Sequence, residues 1–132
     1  LYRRNWEILM GKSMNINQGE IWMVNFEPSI GSEIQNLRPA IVVNDDRIGR
    51  FGIKIVVPIT QWKEHYIDYP WIIKIIPDAI NGLAKDSSIE CFQIKSFAVD
   101  RFDKKIGEID KLLLLQVHQT IAKILNPTYK IN

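Results

Sequence analysis

The sequence predicts a mainly β domain: a small antiparallel sheet curled into a partly open barrel, with one C-terminal α-helix. Three observations carry that expectation. Short β-branched and aromatic runs follow one another up to Ile94, turn-forming clusters rather than helices separate them, and only from Ile109 does the apolar spacing become helical.

The first strand is "EIWMVNF" (Glu20 to Phe26), ended by Pro28 and a small-polar run through Ser32. "AIVVN" (Ala40 to Asn44) and "IKIVVPIT" (Ile53 to Thr60) are β-branched, and the turn residues of "DDRIGRFG" between them make the pair a hairpin. Pro58 has no N–H to give to a ladder, so its part of the strand is expected at an edge or bulge. "WIIKII" (Trp71 to Ile76) and "SIECFQI" (Ser88 to Ile94) complete five strands, separated by a turn region with Pro-Asp and Asn-Gly pairs. Apolar residues then recur at Ile109, Leu113, Val117, Ile121 and Leu125, one face of a helix, with Asp110 as N-cap and Pro127 as stop. His118 falls on this helix and reads as a surface or interface residue.

Composition narrows the function. The chain has 132 residues, of which 46% are hydrophobic, enough for one core. Residues 14–132 are expected to form a single domain, and residues 1–13, ahead of Met14, an upstream extension or added segment. A net charge of only +2 is too small for a protein that coats nucleic acid, though it leaves room for a local basic groove. The single cysteine, Cys91, excludes an intrachain disulfide framework or a cysteine zinc cluster, and its apolar setting marks a buried residue rather than a nucleophile. No apolar run approaches the roughly 20 residues of a membrane span, and no signal-peptide pattern opens the chain. A soluble protein of the reducing cytoplasm is expected. Two histidines are too few for a histidine metal cluster, and no GxxxxGK[ST], HExxH or GxSxG signature is present. No metal and no cofactor are called for.

What remains is polar residues at strand ends: Ser32, Glu33 and Arg38 around the first loop, Thr60 after "VVPI", and Gln93, Lys95 and Ser96 after the fifth strand. The stretch "GEIWMVNFEPSIGSEIQNLRPAIVVNDD" resembles the opening of the MazF/PemK family of toxin endoribonucleases: a G-[DE]-I-W-x-V-x-F strand, a P-x-x-G-S-E loop, then R-P-A-[IV]-V. "VVPIT", "YPWIIKI" and "KDSSIECFQIKS" look like the family's next three segments, in order, so that the resemblance covers Gly19 to Asp103 and the helix fits after it. It implies an SH3-like barrel, a homodimer, and sequence-specific, metal-independent cleavage of single-stranded RNA to 2′,3′-cyclic phosphate and 5′-hydroxyl ends. It also implies a MazE-like antitoxin whose acidic tail covers the RNA groove. By motif, Arg38 takes the place of the family's catalytic arginine and Thr60 that of its catalytic threonine. Ser32 and Glu33 fall in the substrate-contacting loop and Gln93 in the strand facing RNA. Lys95 and Ser96 stand where many members have Arg-Thr.

The chemistry suits these residue types. Attack of a ribose 2′-oxygen on phosphorus builds negative charge on the phosphoryl oxygens, and a guanidinium is a permanent cation with forked donors to meet it. Pro39 restricts Arg38 to extended backbone, which helps aim its side chain. Arginine is a poor proton donor and threonine a poor base, so proton transfer needs another group. Glu33 and His65 are the candidates on sequence grounds. "QWKEHYIDYPW" interleaves Trp62, Tyr66, Tyr69 and Trp71 with Lys63 and His65, an arrangement that can stack bases, or that can serve core and dimer packing. Taken alone, each residue has a plainer reading: Arg38 as a solvated charge, Thr60 as a strand end, Ser32 and Glu33 as turn residues, Gln93 as solvent-facing. Two other classes compete with the enzyme: a non-enzymatic toxin of the CcdB type, which needs no Arg38 and Thr60 pair, and an SH3-like module binding a proline-rich peptide.

Overall fold

The computed structural model describes residues 15–126, so the segment 1–13 and the helix stop at Pro127 lie outside it. Seven strands and one helix follow in order: β1 (Glu20–Asn25), β2 (Leu37–Val42), β3 (Ile53–Gln61), β4 (Ile72–Ile75), β5 (Ser87–Glu90), β6 (Lys95–Ala98), β7 (Phe102–Glu108) and α1 (Lys111–Leu125). All pairings are antiparallel, in the order β4-β5-β3-β2-β1-β7, with β6 beside β5 on the same side of β3. The outermost strands, β4 and β7, do not pair, so the barrel is open.

Two strands exceed the sequence expectation. β6 and β7 carry "KSFA" and "FDKKIGE", whose charges hide any apolar alternation, and β7 follows β1 through two register shifts. The stretch read as one strand, "SIECFQI", instead ends as a strand at Glu90 and turns through a 3-10 helix, Cys91–Gln93. That turn lets the chain leave β5 and return along β3 as β6.

β3 is the spine. On one edge it pairs with β2 from Val56 to Pro58; on the other it pairs with β6 up to Val56 and with β5 from Ile59. The Ile55 carbonyl accepts from Val43 N, so odd-numbered positions turn their backbone groups toward β2, and even-numbered ones face the opposite edge. Pro58 therefore presents its missing N–H to the gap between the end of β6 and the start of β5. The strand is central and not an edge; the proline is tolerated because that place in the ladder has no partner.

Each face of the spine carries its own apolar cluster. Ile41, Val57, Ile59, Ile73, Ile75, Ile89, Cys91 and Val117 pack on one face, covered by Ile109 and by α1 through Leu113, Ile121 and Ile124. Val24, Phe26, Ala40, Val42, Val56, Val99 and Phe102 form the other, enclosed by the curl of β6 and β7. Fully burying each such side chain contributes about 1.5–3 kcal/mol relative to exposure. Asp110 caps α1 as the sequence predicts, its carboxylate accepting from Leu113 N at 2.8 Å. His118 is more than a surface residue: it is half-buried, and its Nε2 lies 2.8 Å from the Val43 carbonyl, tying the helix to the end of β2.

The open side is stopped by the β4–β5 loop, where Glu108 N donates to the Ile80 carbonyl at 3.1 Å. Glycines make the approach possible. A Cβ on Gly82, at φ +71°, would stand 1.9 Å from the Ile106 carbonyl oxygen, and one on Gly107 would stand 2.3 Å from the Asn81 carbonyl carbon.

Candidate functional site

The first loop is built before anything can bind to it. Glu27 accepts from Ser29 N and Asn36 N at 3.2 and 3.0 Å, and Arg101 donates to the carbonyls of Asn25 and Glu27. Glu33 accepts from Ile30 N at 2.6 Å and pairs with Lys95 Nζ at 2.7 Å. Gln93 completes the clamp: its Nε2 donates to the Ser32 carbonyl at 3.2 Å and its Oε1 accepts from Ile34 N at 3.3 Å. Four of the residues singled out in the sequence, Ser32, Glu33, Gln93 and Lys95, thus meet in one place. The Lys95 ammonium, followed by the Ile30 N–H, holds the Glu33 carboxyl below its ordinary 4.5. That makes Glu33 a fixed anion bracing a loop and a weak proton acceptor near neutrality.

Arg38 joins this loop to the spine. It lies opposite Val24 in β2, half-buried, and its Nε donates to the Gln35 carbonyl at 3.1 Å. Ladder pairing between β2 and β3 ends at Ala40 and Pro58; the same register carried two residues further sets Arg38 across from Thr60, where the strands have separated. Strand alternation places Arg38, Ala40 and Val42 on one face of β2, and Val56, Pro58 and Thr60 on the matching face of β3. The apolar row of the second core therefore gives way, at the open end, to a polar one.

That polar row crosses into β5. Thr60 pairs with Ser88, and their hydroxyl oxygens lie 2.9 Å apart; Thr60 Oγ1 also donates to Glu90 Oε1 at 3.4 Å. Ser88 is fully buried and can donate to the Gln61 carbonyl at 3.2 Å. Glu90, two residues along β5, is half-buried, and burial pushes its carboxyl above 4.5, against the opposing pull of the Thr60 hydroxyl and the Lys63 charge. Sequence reasoning missed both Ser88 and Glu90. The alternation of "SIE" places them on one face, but their partner Thr60 stands about thirty positions earlier, a relation that only the fold reveals.

Beside the row lies an aromatic chain. Trp62 meets Tyr66 edge-on at 5.9 Å, His65 contacts Tyr66 and Tyr69 at 4.8 and 5.7 Å, and Tyr69 stacks on Trp71 at 4.9 Å. Lys74 sits 4.9 Å above the Trp62 ring, and the buried Trp62 Nε1 has no acceptor among the described residues. Ser96 stands apart from both groups, exposed on β6 opposite Ile55. Among the described residues no group of three or more His, Cys, Asp or Glu side chains could hold a metal ion, and no helix is long and apolar enough to cross a membrane.

Fold and site together define a small open β-barrel with a helical cover, whose open rim carries an arginine, a hydroxyl pair and a carboxylate. Residues 17–125 match the PemK-like, MazF-like toxins of type II toxin-antitoxin systems, and the chain belongs to that family. It is 34% identical over 113 residues to endoribonuclease MazF9 of Mycobacterium tuberculosis, covering 80% of this chain and 92% of the relative. It is 26% identical to endoribonuclease EndoA of Bacillus subtilis over 82% of this chain and 92% of that one. Among solved structures, MazF from Deinococcus radiodurans superposes with a TM-score of 0.70 at 21% identity, over 84% of this chain and 96% of that chain. A MazE-MazF structure from the same organism gives 0.62 at 18% identity, over 85% and 96%. These likenesses establish the open-barrel fold.

Proposed function

We propose that this protein is an endoribonuclease toxin that cuts single-stranded RNA at specific sequences by 2′-hydroxyl transesterification, without a metal ion. The products are 2′,3′-cyclic phosphate and 5′-hydroxyl ends. The observation that carries this reading is the register of β2 and β3, which, extended two residues past Ala40 and Pro58, puts Arg38 and Thr60 on one face of the sheet. Relatives named as endoribonucleases support the activity.

In this reading the scissile phosphate sits against Arg38, whose remaining N–H donors meet the charge that builds as O2′ attacks. Thr60 positions the phosphate or the 2′-hydroxyl through its own hydroxyl. Ser32 and Gln93 shape the loop that contacts the bases, with Glu33 and Lys95 as its brace, while Ser96, exposed on the opposite face of β6 from Lys95, stands away from this rim. Trp62 and His65, with their aromatic neighbours, stack flanking bases. Activity is opposed by a MazE-like antitoxin, the protein acts as a homodimer, and it works in the cytoplasm. Relatives solved with their antitoxins support that pairing.

The decisive experiment incubates purified protein with a long single-stranded RNA in EDTA and maps cut sites and end groups. Discrete cuts ending in cyclic phosphate are expected. A folded, antitoxin-free protein that leaves RNA intact would turn the reading toward a non-enzymatic toxin of the CcdB type or an SH3-like binding module.

A further inference from the structure

Transesterification needs a proton acceptor for the 2′-hydroxyl, and neither carboxylate nor imidazole singled out in the sequence is placed for it. Glu33 is paired with Lys95 and bonded to Ile30 N, which lowers its basicity. His65 lies in the exposed 3-10 helix Glu64–Asp68, its ring against Tyr66 and Tyr69. Neither has a hydrogen bond to Thr60 or Arg38 among the described residues.

We propose that Glu90 is the general base of the reaction, an inference that rests on the endoribonuclease reading above. Its carboxylate takes the proton from the ribose 2′-hydroxyl as O2′ bonds to phosphorus; the bond from phosphorus to O5′ breaks, and O5′ leaves with a proton drawn from water. The products are the cyclic phosphate, the 5′-hydroxyl and a protonated Glu90, which returns its proton to solvent.

Geometry carries the argument. Glu90 Oε1 is 3.4 Å from the Thr60 hydroxyl, which is itself held by Ser88 at 2.9 Å, so the carboxylate sits beside the group assigned to position the nucleophile. The other buried or half-buried carboxylates among the described residues each have a cation: Glu20 has Lys105, Glu33 has Lys95 and Asp45 has Arg47. Glu90 has no ion pair among the described residues; one oxygen takes a weak bond from a hydroxyl and the carboxylate is otherwise uncommitted. A half-buried carboxylate that forgoes a partner is destabilised as an anion, which is what a base working toward neutral pH requires. The charged and titratable groups around it are Lys63 and Tyr66 from the β3–β4 connection, Cys91 next in the chain, and Lys74, two residues along β4 from its partner Ile72. Burial raises its pKa and outweighs the two opposing pulls, the Thr60 hydroxyl bond and the Lys63 charge.

Single-turnover cleavage across pH tests this in wild type, Glu90→Gln and Glu90→Asp. Wild type should lose rate as pH falls through a value above 4.5. Glu90→Gln should be slower by roughly two to four powers of ten and lose that acidic limb. Its affinity for RNA carrying a 2′-deoxy nucleotide at the cut site should be unchanged. Glu90→Asp should keep the limb at an intermediate rate, which also secures the test if the glutamine variant folds poorly. A Glu90→Gln rate within about threefold of wild type, or an unchanged acidic limb, overturns the assignment. So does full rescue of Glu90→Gln by a 5′-thio leaving group, which needs no proton and would mark Glu90 as an acid. If wild type itself leaves RNA uncut, the endoribonuclease reading fails and the assignment falls with it; a cutting enzyme indifferent to Glu90 removes the assignment alone.

Discussion

Replacing Arg38 by Ala removes the permanent cation that the proposed mechanism sets against the phosphate, and the size of the effect follows from what that side chain is already doing. One of its N–H donors is spent on the Gln35 carbonyl at 3.1 Å. A guanidinium has about five, which leaves about four to meet charge developing on phosphoryl oxygens. Loss of one preorganised donor of this kind costs on the order of 2.7–4 kcal/mol of transition-state stabilisation, and at ~1.36 kcal/mol per decade the rate falls by roughly two to three powers of ten. The fold should feel far less. The Gln35 bond contributes about 0.5–1.5 kcal/mol, a melting shift of roughly 2–6 °C. Arg38→Lys keeps the charge as a single point on a flexible stem and should fall between the two. The assay is single-turnover cleavage of a defined RNA, with melting measured alongside. An Arg38→Ala protein that melts near wild type and cuts within about threefold of its rate refutes the reasoning.

The brace of the first loop should titrate. Lys95 holds the Glu33 carboxyl below 4.5, so the stability it confers is complete above 4.5 and is lost as pH falls through the lower folded value. Melting temperatures of wild type and Glu33→Gln should differ near neutral pH and draw together as pH falls below 4.5; a pH-independent difference contradicts the pairing. Gly82→Ala forces a Cβ to within 1.9 Å of the Ile106 carbonyl at a left-handed φ, and should destabilise by upward of about 2 kcal/mol in a denaturant titration. A neutral result would mean that the β4–β5 loop does not dock on β7. Cys91 is buried and its thiol is pushed up to about 12 by desolvation, with Glu90 adding to the shift, so it should ignore Ellman's reagent until the chain unfolds. Reaction at the rate of a free cysteine in the folded protein would show that the core around it opens.

Legibility in the sequence tracked apolar patterning. The β-branched runs of β1, β2, β3 and β4 announced themselves, as did α1 with its Asp110 cap. β7 did not: only Phe102 is buried in "FDKKIGE", and its pairing with β1 slips twice, so neither alternation nor length could reveal it. The break at Glu90 escaped because Cys91 and Phe92 continue an apolar run through a turn whose cause is topological, the need to bring β6 back onto β3. At the rim, local motifs single out Arg38 and Thr60, and the register of β2 and β3 carried past Pro58 sets them on one face. Glu90 was not, since its environment is made by residues from other strands and by burial, neither of which adjacent letters encode.

The gap in the ladder at Pro58 separates two registers along one strand. Because neither β6 nor β5 can extend across a residue that donates nothing, slippage in one cannot propagate into the other. A one-residue slip of β6 would swap the faces of Lys95 and Ser96 and loosen the loop brace, yet leave Thr60 opposite Ser88. The proline acts as a firebreak: the half of the sheet that braces the first loop can drift through substitution and insertion while the half that aligns the hydroxyls and Glu90 keeps its count.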